Sequence, residues 1–446
     1  MPAEKLVGPL PRSWQYTTLG EACSNGEGGV QTGPFGSQLH AADYVRVGIP
    51  SIMPQNIGDN RVLRDGIAQI TESDAQRLSR YRVRKGDIVY SRRGDVERRA
   101  LIRDTEDGWL CGTGCLRVRF DAEHVDSDYA SYYLGDPRVR EWIVRHAHGA
   151  TMPNLNTAIL SATPFVQPSL PKQRAIARVL AALDDKIDLN RRMSGTLEAL
   201  ARALFKSWLV DFDPIRGTAD GRDLGLPKKL ARLFPSAMEG SEIGDVPRGW
   251  EVRGLDSVAR FVNGLALQKY PAMDGRALPV IKIAQLRAGS TVGADLASAD
   301  IDPDFVVQDG DVLFSWSGSL MCTIWAGGTG ALNQHLFKVS STQHPKWLYY
   351  LWIQRHLADF RHIAAGKATT MGHIQRHHLS DAKVVVPPRE LVEALDVILG
   401  PLLERSWRRL QESRTLAALR DTLLPRLISG KLRVPDAERF AVKGGA

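Results

Sequence analysis

Two long segments of the chain place apolar side chains at alternating spacings of four and three residues, a pattern typical of a helical seam. The seam positions are Ile176, Leu180, Leu183, Leu197 and Leu204 in the first segment and Leu395, Leu402, Leu416 and Leu423 in the second. Each segment predicts a helix of about 35 to 40 residues, roughly 50–60 Å long at 1.5 Å per residue. Asn190 and Arg409 add one polar residue to the middle of each row, where a buried polar side chain commonly fixes the register of a helix pair.

Helices of this length cannot bury an apolar seam alone. We therefore predict that the two helices pack on each other. The alternative is an amphipathic helix that lies on its own domain.

The sequence also repeats itself, with five matching segments in the same order. The matches are PRSW at 11–14 with PRGW at 247–250, GIPSI at 48–52 with ALPVI at 277–281, VRKGDIVYS at 83–91 with VQDGDVLFS at 307–315, GTG at 112–114 with GTG at 328–330, and ATM at 150–152 with TTM at 369–371. This order predicts two related globular units, each followed by one long helix.

The globular part of each copy has short apolar runs between Gly, Pro, Asp and Asn, which predict short strands and turns with some helix. The fold class is therefore α+β, with two similar mixed α/β domains separated by two long helices. The predicted boundaries are a first domain at 1–169, a first long helix at 170–212, a linker at 213–246, a second domain at 247–388, a second long helix at 389–433 and a C-terminal tail at 434–446. The linker is rich in Gly and Pro, so we expect it to be semi-ordered at most.

The sequence contains no common catalytic signature: no Walker A loop, no HExxH, no GxSxG and no NPPY or NPPF tetrapeptide of the amino-methyltransferases. Cys111 and Cys115 are close in sequence, but the other two cysteines form no matching pair, so we expect no zinc site. Histidines at 373, 377 and 378 have no counterparts in the first copy. This difference favours solvated or DNA-facing histidines over metal ligands.

The chain carries 58 Lys and Arg against 50 Asp and Glu, a formal charge of +8. The surplus lies in residues 171–235, with 13 basic and 8 acidic side chains, and in 391–446, with 10 and 7, whereas 11–170 and 236–390 are each neutral. A mildly basic balance permits nucleic acid as a partner but does not prove it. We find neither a long apolar run nor a signal-peptide pattern, so we expect a soluble, cytoplasmic protein with no membrane contact.

Four segments resemble a known family. Residues 170–177 (LPKQRAIA), 183–190 (LDDKIDLN), 200–214 (LARALFKSWLVDFDP) and 423–432 (LLPRLISGKL) are similar to the specificity subunit, of HsdS type, of type I restriction-modification systems. The resemblance covers nearly the whole chain.

This resemblance implies a pseudo-twofold subunit without catalytic activity. Each globular unit would be a target-recognition domain that reads one half of a split DNA site, and the long helices would pack as an antiparallel coiled coil that sets the spacer. The partners implied are double-stranded DNA, two methyltransferase subunits that methylate adenine N6, and restriction subunits. S-adenosylmethionine, ATP and Mg would be cofactors of those partners, and this chain would hold none.

Two other functions compete with this interpretation. A self-sufficient methyltransferase or nuclease would need catalytic motifs that the sequence lacks. The other alternative is a coiled-coil interaction scaffold without direct DNA reading. DNA binding that depends on salt and on the arginines near residue 92 would separate them.

Candidate DNA contacts are Arg, Lys, Asn, Gln, Ser, Thr and His side chains in the predicted loops, because these groups bind phosphates and base edges. Residues 77–103 hold ten Arg and Lys against three acidic residues. The candidates of the first copy are Gln31, Ser37, Gln55, Asn56, Arg92, Arg93, Arg98, Arg99, Thr151, Asn154 and Asn156. Those of the second are Lys282, Gln285, Ser315, Ser317, Asn333, Gln334, Lys367, Thr369, Thr370 and His373. Since Arg92 and Arg93 stand where the second copy has Trp and Ser, we predict two different half-sites and an asymmetric target.

Overall fold

The computed structural model of the chain describes residues 4–24, 26–149, 152–219, 221, 225–273, 275–366 and 372–444. The chain divides into two compact units: unit 1 is Met1–Lys186 with Leu416–Ala446, and unit 2 is Ile187–Thr415. Each unit therefore combines one globular domain with a part of both long helices. Among the described residues, no helix has the length and apolar character that crossing a bilayer requires.

Unit 1 is built from short strands and short helices, as the turn-rich sequence predicts. Its strands are β1 (Gln15–Thr18), β2 (Gly29–Thr32), β3 (Tyr44–Val45), β4 (Ile49–Ile52), β5 (Ala68–Ile70), β6 (Ile88–Ser91), β7 (Arg99–Leu101), β8 (Leu110–Cys111), β9 (Cys115–Arg119) and β10 (Pro164–Gln167). Its helices are α1 (Glu4–Val7), α2 (Leu19–Ala22), α3 (Glu72–Arg77), α4 (Ser127–Tyr133), α5 (Pro137–His146) and α6 (Thr157–Ser161), and the long helix α7 (Leu170–Phe205) begins in it.

Two four-stranded sheets form the body of unit 1. Strands β2, β9, β6 and β7 pair antiparallel in that order, and β3, β5, β4 and β8 form the second sheet, in which β4 and β8 are parallel. Strand β1 pairs antiparallel with β10, so the start and the end of the domain are joined just before α7.

Unit 2 has the corresponding elements. Its strands are β11 (Met238–Ser241), β12 (Gly244–Pro247), β13 (Glu251–Gly254), β14 (Arg260–Asn263), β15 (Ala277–Ile281), β16 (Leu296–Ser298), β17 (Val306–Val307), β18 (Val312–Ser315), β19 (Cys322–Ile324), β20 (Gly330–Leu332), β21 (Leu336–Ser340) and β22 (Lys383–Val386). Its helices are α8 (Asp213–Ala219), α9 (Lys228–Ala231), α10 (Leu255–Val258), α11 (Ile283–Ala288), α12 (Lys346–Ala365) and α13 (His377–Asp381); α14 (Arg389–Ile428) begins in it, and α15 (Val434–Gly444) belongs to unit 1.

The sheets of unit 2 repeat those of unit 1 except in the second sheet, where the fourth strand is β17 beside β20 and not a strand equivalent to β3 beside β5. Strands β14, β21, β18 and β19 pair antiparallel in that order, and the second sheet has the order β16, β15, β20, β17 with β15 and β20 parallel. Strand β13 pairs with β22 as β1 does with β10. The internal repeat of the sequence is therefore a repeat of strand topology.

The repeated segment that ends in Ser91 and Ser315 forms a turn and a buried strand. Gly86 and Gly310 have φ angles of +89° and +92°, in the left-handed region that favours glycine. All four residues of β6 and of β18 are buried. Both strands lie inside their sheets, with a paired strand on each side, so the starts of the loops that follow them are fixed in position.

The start of α7 is tied to unit 1 by Gln173, a buried residue of the LPKQRAIA segment. Its Nε2 donates to the carbonyl oxygens of Pro168 (2.8 Å) and His124 (3.2 Å), and its Oε1 accepts from the Asp126 amide at 2.9 Å. One amide side chain thus satisfies backbone groups that would otherwise be buried without partners at the helix start.

The two long helices pair with each other in both units. In unit 1, Arg420 Nη1 of α14 lies 2.6 Å from Asp184 Oδ1 of α7, and in unit 2 Ser194 Oγ of α7 lies 2.9 Å from Ser406 Oγ of α14. Residue numbers rise along one helix as they fall along the other, so the helices are antiparallel.

Most predicted seam residues are buried. The buried ones are Ile176, Leu180, Leu183, Asn190, Leu395, Leu416 and Leu423. Leu197, Leu204 and Leu402 are only half-buried, because Ala201, Phe205 and Leu403 take the inner positions beside them.

The prediction for Arg409 needs a correction. Its side chain is 37% exposed and forms an ion pair of 2.7 Å with Glu412 on its own helix. A guanidinium at this position reaches solvent and an acidic neighbour, so it avoids the desolvation cost of the seam. The buried polar residues of α14 are instead Ser406 and Ser413.

The predicted linker also differs from the structure. Residues 213–246 include α8, α9 and β11, which pairs with β12. Ile215, Leu230 and Val246 belong to the hydrophobic core of unit 2, so their burial orders a segment that Gly and Pro content alone marks as loose. The predicted tail likewise contains a helix, α15.

Replacing Asn190 with leucine is expected to raise the free energy of unfolding by about 1–3 kcal/mol, since an unpaired buried amide costs about that much. Asn190 has no exposed surface, and its Oδ1 and Nδ2 have no hydrogen-bond partner in the described part of the chain. Urea denaturation measures the change. The control is Ser194→Ala, which removes a satisfied hydrogen bond and should lower stability; equal losses in both variants would contradict the argument.

Candidate nucleic-acid interface

In unit 1, four backbone segments meet beyond the end of β6. The Arg92 amide donates to the Gly114 carbonyl at 2.8 Å, and the Leu155 amide donates to the Arg92 carbonyl at 2.8 Å. The Gly33 amide donates to the Cys115 carbonyl at 2.9 Å. The loop after β6, the turn between β8 and β9, the end of β2 and the segment near residue 154 therefore form one framework.

In unit 2, the same three backbone hydrogen bonds recur with different residues. The Trp316 amide donates to the His335 carbonyl at 3.3 Å, and the Ile374 amide donates to the Trp316 carbonyl at 2.9 Å. The Gly264 amide donates to the Leu336 carbonyl at 3.0 Å. We call this four-segment framework the loop cluster of each unit.

The strand register corrects one match of the sequence repeat. In the parallel pairs, Ile52 faces Cys111 in unit 1 and Ile281 faces Leu332 in unit 2. The turn at 112–114 in unit 1 therefore corresponds to Asn333–Gln334–His335 in unit 2, and the second GTG at 328–330 leads into β20 instead. Identical letters at 112–114 and 328–330 do not occupy equivalent places.

The loop cluster of unit 1 is cationic. Arg93 is exposed and Arg92 is half-buried, and neither forms an ion pair with a carboxylate among the described residues. The Ser91 hydroxyl donates to the Arg93 carbonyl at 2.8 Å and fixes the loop. Asn154 is brought next to Arg93 by a backbone bridge. Of the other predicted arginines, Arg98 is exposed but paired with Asp95 at 2.9 Å.

In the loop cluster of unit 2, the loop after β18 has no Lys or Arg of its own, and the cluster is rich in rings and amides. The Trp316 indole N–H donates to Asn263 Oδ1 at 2.9 Å and to the Gln334 carbonyl at 3.2 Å. Ser317 Oγ lies 2.9 Å from His335 Nδ1. His373 is bridged to Ser317 through the backbone, and its ring centroid lies 6.4 Å from that of Trp316.

Five predicted contact residues are buried, with at most 6% of their surface exposed, so the structure does not support a direct contact of these side chains with DNA. They are Asn56, Arg99, Ser315, Ser317 and Asn333. Arg99 is 5% exposed and its Nε donates to the Ser131 carbonyl at 2.7 Å; burial lowers the pKa of its guanidinium. Ser315 Oγ donates to the Ser319 carbonyl at 2.6 Å. These side chains support the loops from inside.

Two predicted residues cap equivalent turns. Asn56 Oδ1 accepts from the Met53 amide at 3.2 Å, and Gln285 Oε1 accepts from the Lys282 amide at 3.3 Å. The Lys282 ammonium is exposed and pairs with Asp295. The shared cap explains why an amide stands at this position in both copies.

The other predicted residues that the structure describes are a helix cap, a strand residue and two exposed residues. Asn156 caps α6 by accepting from the Ile159 amide at 2.8 Å, and Gln31 on β2 accepts from Arg117 at 2.6 Å. Ser37 and Gln55 are exposed. Thr151, Lys367, Thr369 and Thr370 lie outside the described residues, and their contact with DNA stays a prediction.

The structure adds members that the sequence did not indicate. Asn263, Trp316 and His335 belong to the cluster of unit 2 through the contacts above, and Thr113 lies in the turn of unit 1 between Gly112 and Gly114. Aligning the copies by predicted strand pairs, and not by identical letters, would have placed His335 beside Trp316.

Among the described residues, no three His, Cys, Asp or Glu side chains converge as a metal site would require. All four cysteines are free and buried. Burial raises the pKa of the Cys23 and Cys111 thiols to about 12 and raises those of Cys115 and Cys322 well above their usual value.

A thiol-reactive disulfide reagent at pH 8 is therefore expected to modify none of the four cysteines in the native chain on a time scale of minutes. The thiolate is the reactive form, and both burial and the raised pKa keep its population negligible. Absorbance of the released chromophore counts the thiols. The same chain in guanidinium chloride should release four equivalents, whereas one fast native equivalent would contradict the buried placement.

Comparison with known proteins gives one consistent family. The model of the type I restriction modification DNA specificity domain matches residues 11–199 and 247–395. The type I restriction enzyme MjaIX specificity subunit of Methanocaldococcus jannaschii is 22% identical over 448 residues, covering 97% of this chain and 96% of that protein. The HindI specificity subunit of Haemophilus influenzae is 23% identical and covers 86% and 95%.

A solved structure has the same fold. The type I restriction-modification S subunit from M. genitalium superposes with a TM-score of 0.53 at 14% identity, covering 96% of this chain and 98% of that one. The two matched ranges coincide with the two repeated domains and extend into both long helices. The chain belongs to the family of the type I restriction modification DNA specificity domain and carries that domain twice.

Proposed function

We propose that this chain is the DNA sequence-specificity subunit of a type I restriction-modification complex. Each unit reads one half of a bipartite, asymmetric DNA site through its loop cluster. The observation that carries the proposal is the pairing of one backbone framework with two sets of side chains. A shared framework presents both clusters to DNA in the same way, and different side chains select different bases.

The family resemblance implies the division of labour, and the sequence, which has no common catalytic signature, agrees with it. Methyl transfer to adenine N6 is assigned to two methyltransferase subunits that dock on the long helices. S-adenosylmethionine, ATP and Mg are assigned to those subunits and to restriction subunits. The paired helices α7 and α14 set the spacer between half-sites. A complex of this kind works on DNA in the cytoplasm.

Methylome sequencing tests the proposal. A host strain carries the methyltransferase gene of the same system either with or without the gene for this chain. We expect one asymmetric bipartite motif with methylated adenine that is present only with the chain. A palindromic motif, or a motif that persists without the chain, would contradict the proposal.

Binding measurements separate DNA reading from a scaffold role. The assembled complex should bind a duplex carrying the motif with an affinity that falls steeply with salt, since phosphate contacts release counterions. Equal affinity for duplexes with and without the motif would favour a coiled-coil scaffold without direct reading.

A further inference from the structure

The turn that joins the parallel strand to the next strand differs most between the two loop clusters. In unit 1 it is Gly112–Thr113–Gly114, and a β-carbon on Gly112 would lie 2.6 Å from Ser51 Oγ and 2.7 Å from the Ile52 carbonyl oxygen. Gly114 has a φ of +81°, which favours glycine. Apart from Thr113, this turn has no room for side chains that could extend toward a ligand.

In unit 2 the corresponding turn carries three polar side chains. Asn333 is buried, and its Oδ1 accepts from the His335 amide at 3.3 Å, which shapes the turn. Gln334 and His335 are half-buried. The Gln334 carbonyl is held by the Trp316 indole at 3.2 Å, so the backbone of Gln334 is fixed from both sides.

The side chain of Gln334 is available for a ligand. Its polar contact in the described part of the chain is with His335, 3.4 Å between Nε2 atoms, at the long limit of a hydrogen bond. Its Oε1 has no partner among these residues. A carboxamide in this state presents one acceptor beside one donor, the arrangement that matches N6 and N7 of adenine in the major groove.

The charge of the two clusters supports the same division. Unit 1 places Arg92 and Arg93 where unit 2 has Trp316 and Ser317, and guanidinium groups match O6 and N7 of guanine. The unit with the bare turn therefore has the cationic loop, and the unit with the neutral loop has the amide on its turn. The arginines of unit 1 and the Gln334 carboxamide of unit 2 therefore place base-reading chemistry on different segments of the two clusters.

We propose that Gln334 is a specificity-determining residue of unit 2 that reads an adenine–thymine pair through its carboxamide. This inference rests on the proposed function and adds the base class and the residue that selects it. The turn between β20 and β21 sets one position of one half-site, and the other half-site does not depend on it.

The isosteric variant Gln334→Glu tests this assignment. It keeps the shape of the side chain and replaces the donor with an acceptor, which matches the N4 amino group of cytosine. We expect preference at one base pair of one half-site to fall about 10- to 100-fold for A·T and to move toward C·G, on the scale of one bidentate contact. The other half-site and the spacer should keep their wild-type sequence.

The readout uses the full chain in complex with its methyltransferase. Methylome sequencing first gives the wild-type motif, and competition binding then uses duplexes in which each base pair of that motif is varied in turn. The matched control is Gln343→Ala, an exposed glutamine beyond the other end of β21, which should leave all preferences unchanged. Circular dichroism checks that both variants fold.

The outcomes are distinct. A wild-type preference profile in Gln334→Glu would overturn the assignment while leaving the proposed function intact. A change at several positions of both half-sites would also overturn it, because the effect would then be structural. If the wild-type complex gives no bipartite motif, the proposed function itself fails.

Discussion

Alanine at both Arg92 and Arg93 is expected to abolish recognition of one half-site, lowering the affinity of the assembled complex for its specific duplex by about 100-fold or more. Each good arginine contact with a base contributes about 1–3 kcal/mol of discrimination. These guanidiniums form no ion pair with a carboxylate among the described residues, so they place local positive charge at the surface of a domain whose residues 11–170 are neutral as a whole.

Two measurements check this expectation. Filter binding or fluorescence anisotropy gives the affinity. If the arginines also contact phosphates, the slope of log affinity against log salt concentration should become smaller by about one to two. A change of sequence in the second half-site alone should lower the affinity by the same factor for the variant as for the wild type. The control Arg46→Ala removes one exposed cation of unit 1 outside the loop cluster.

An equal loss for Arg46→Ala and for the double variant would show that bulk charge, and not position, determines binding. Retention of the complete wild-type motif by the double variant would show that unit 1 reads DNA through another surface. The conservative pair Arg92→Lys and Arg93→Lys keeps the charge but not the planar fork, so it should bind DNA and still relax the first half-site.

The elements of the fold were predictable because their signals are local and repeated. A seven-residue apolar period over five turns or more leaves few alternatives to a long helix, and α7 and α14 begin at Leu170 and Arg389, as expected from the prolines before them. The buried strands β6 and β18 follow from a turn signal and an apolar run. The order of the strands within the sheets needed the structure.

The candidate site was harder to predict, since a polar residue near a loop either reaches solvent or satisfies the backbone. Asn56 and Gln285 are amide side chains in predicted loops, as Gln334 is, yet both accept a hydrogen bond from a backbone amide. Arg99 and Arg93 belong to one basic stretch, but β7 directs Arg99 into the unit. Whether such a side chain reaches solvent or is buried depends on strand direction and register, and these cannot be deduced from the residue types alone.

Gly33→Ala is expected to destabilise unit 1 by about 2–4 kcal/mol, in the range of overpacking substitutions. A β-carbon at Gly33 would lie 2.1 Å from the Gly112 carbonyl oxygen and 2.8 Å from that of Cys111. Both are backbone atoms, so the turn between β8 and β9 must move away. Gly36→Ala is the control, because nothing lies within 4 Å of a β-carbon there.

Gly264→Ala should act in the same way on unit 2, where the β-carbon would lie 2.2 Å from the Asn333 carbonyl oxygen. Displacing the Asn333–His335 turn should reduce recognition of the half-site read by unit 2, whereas Gly33→Ala should reduce recognition of the other one. Thermal unfolding measures stability, and methylome sequencing at a permissive temperature measures each half-site. Loss of the same half-site in both variants would contradict the equivalence of the two clusters, since one backbone framework then could not serve two separate readers.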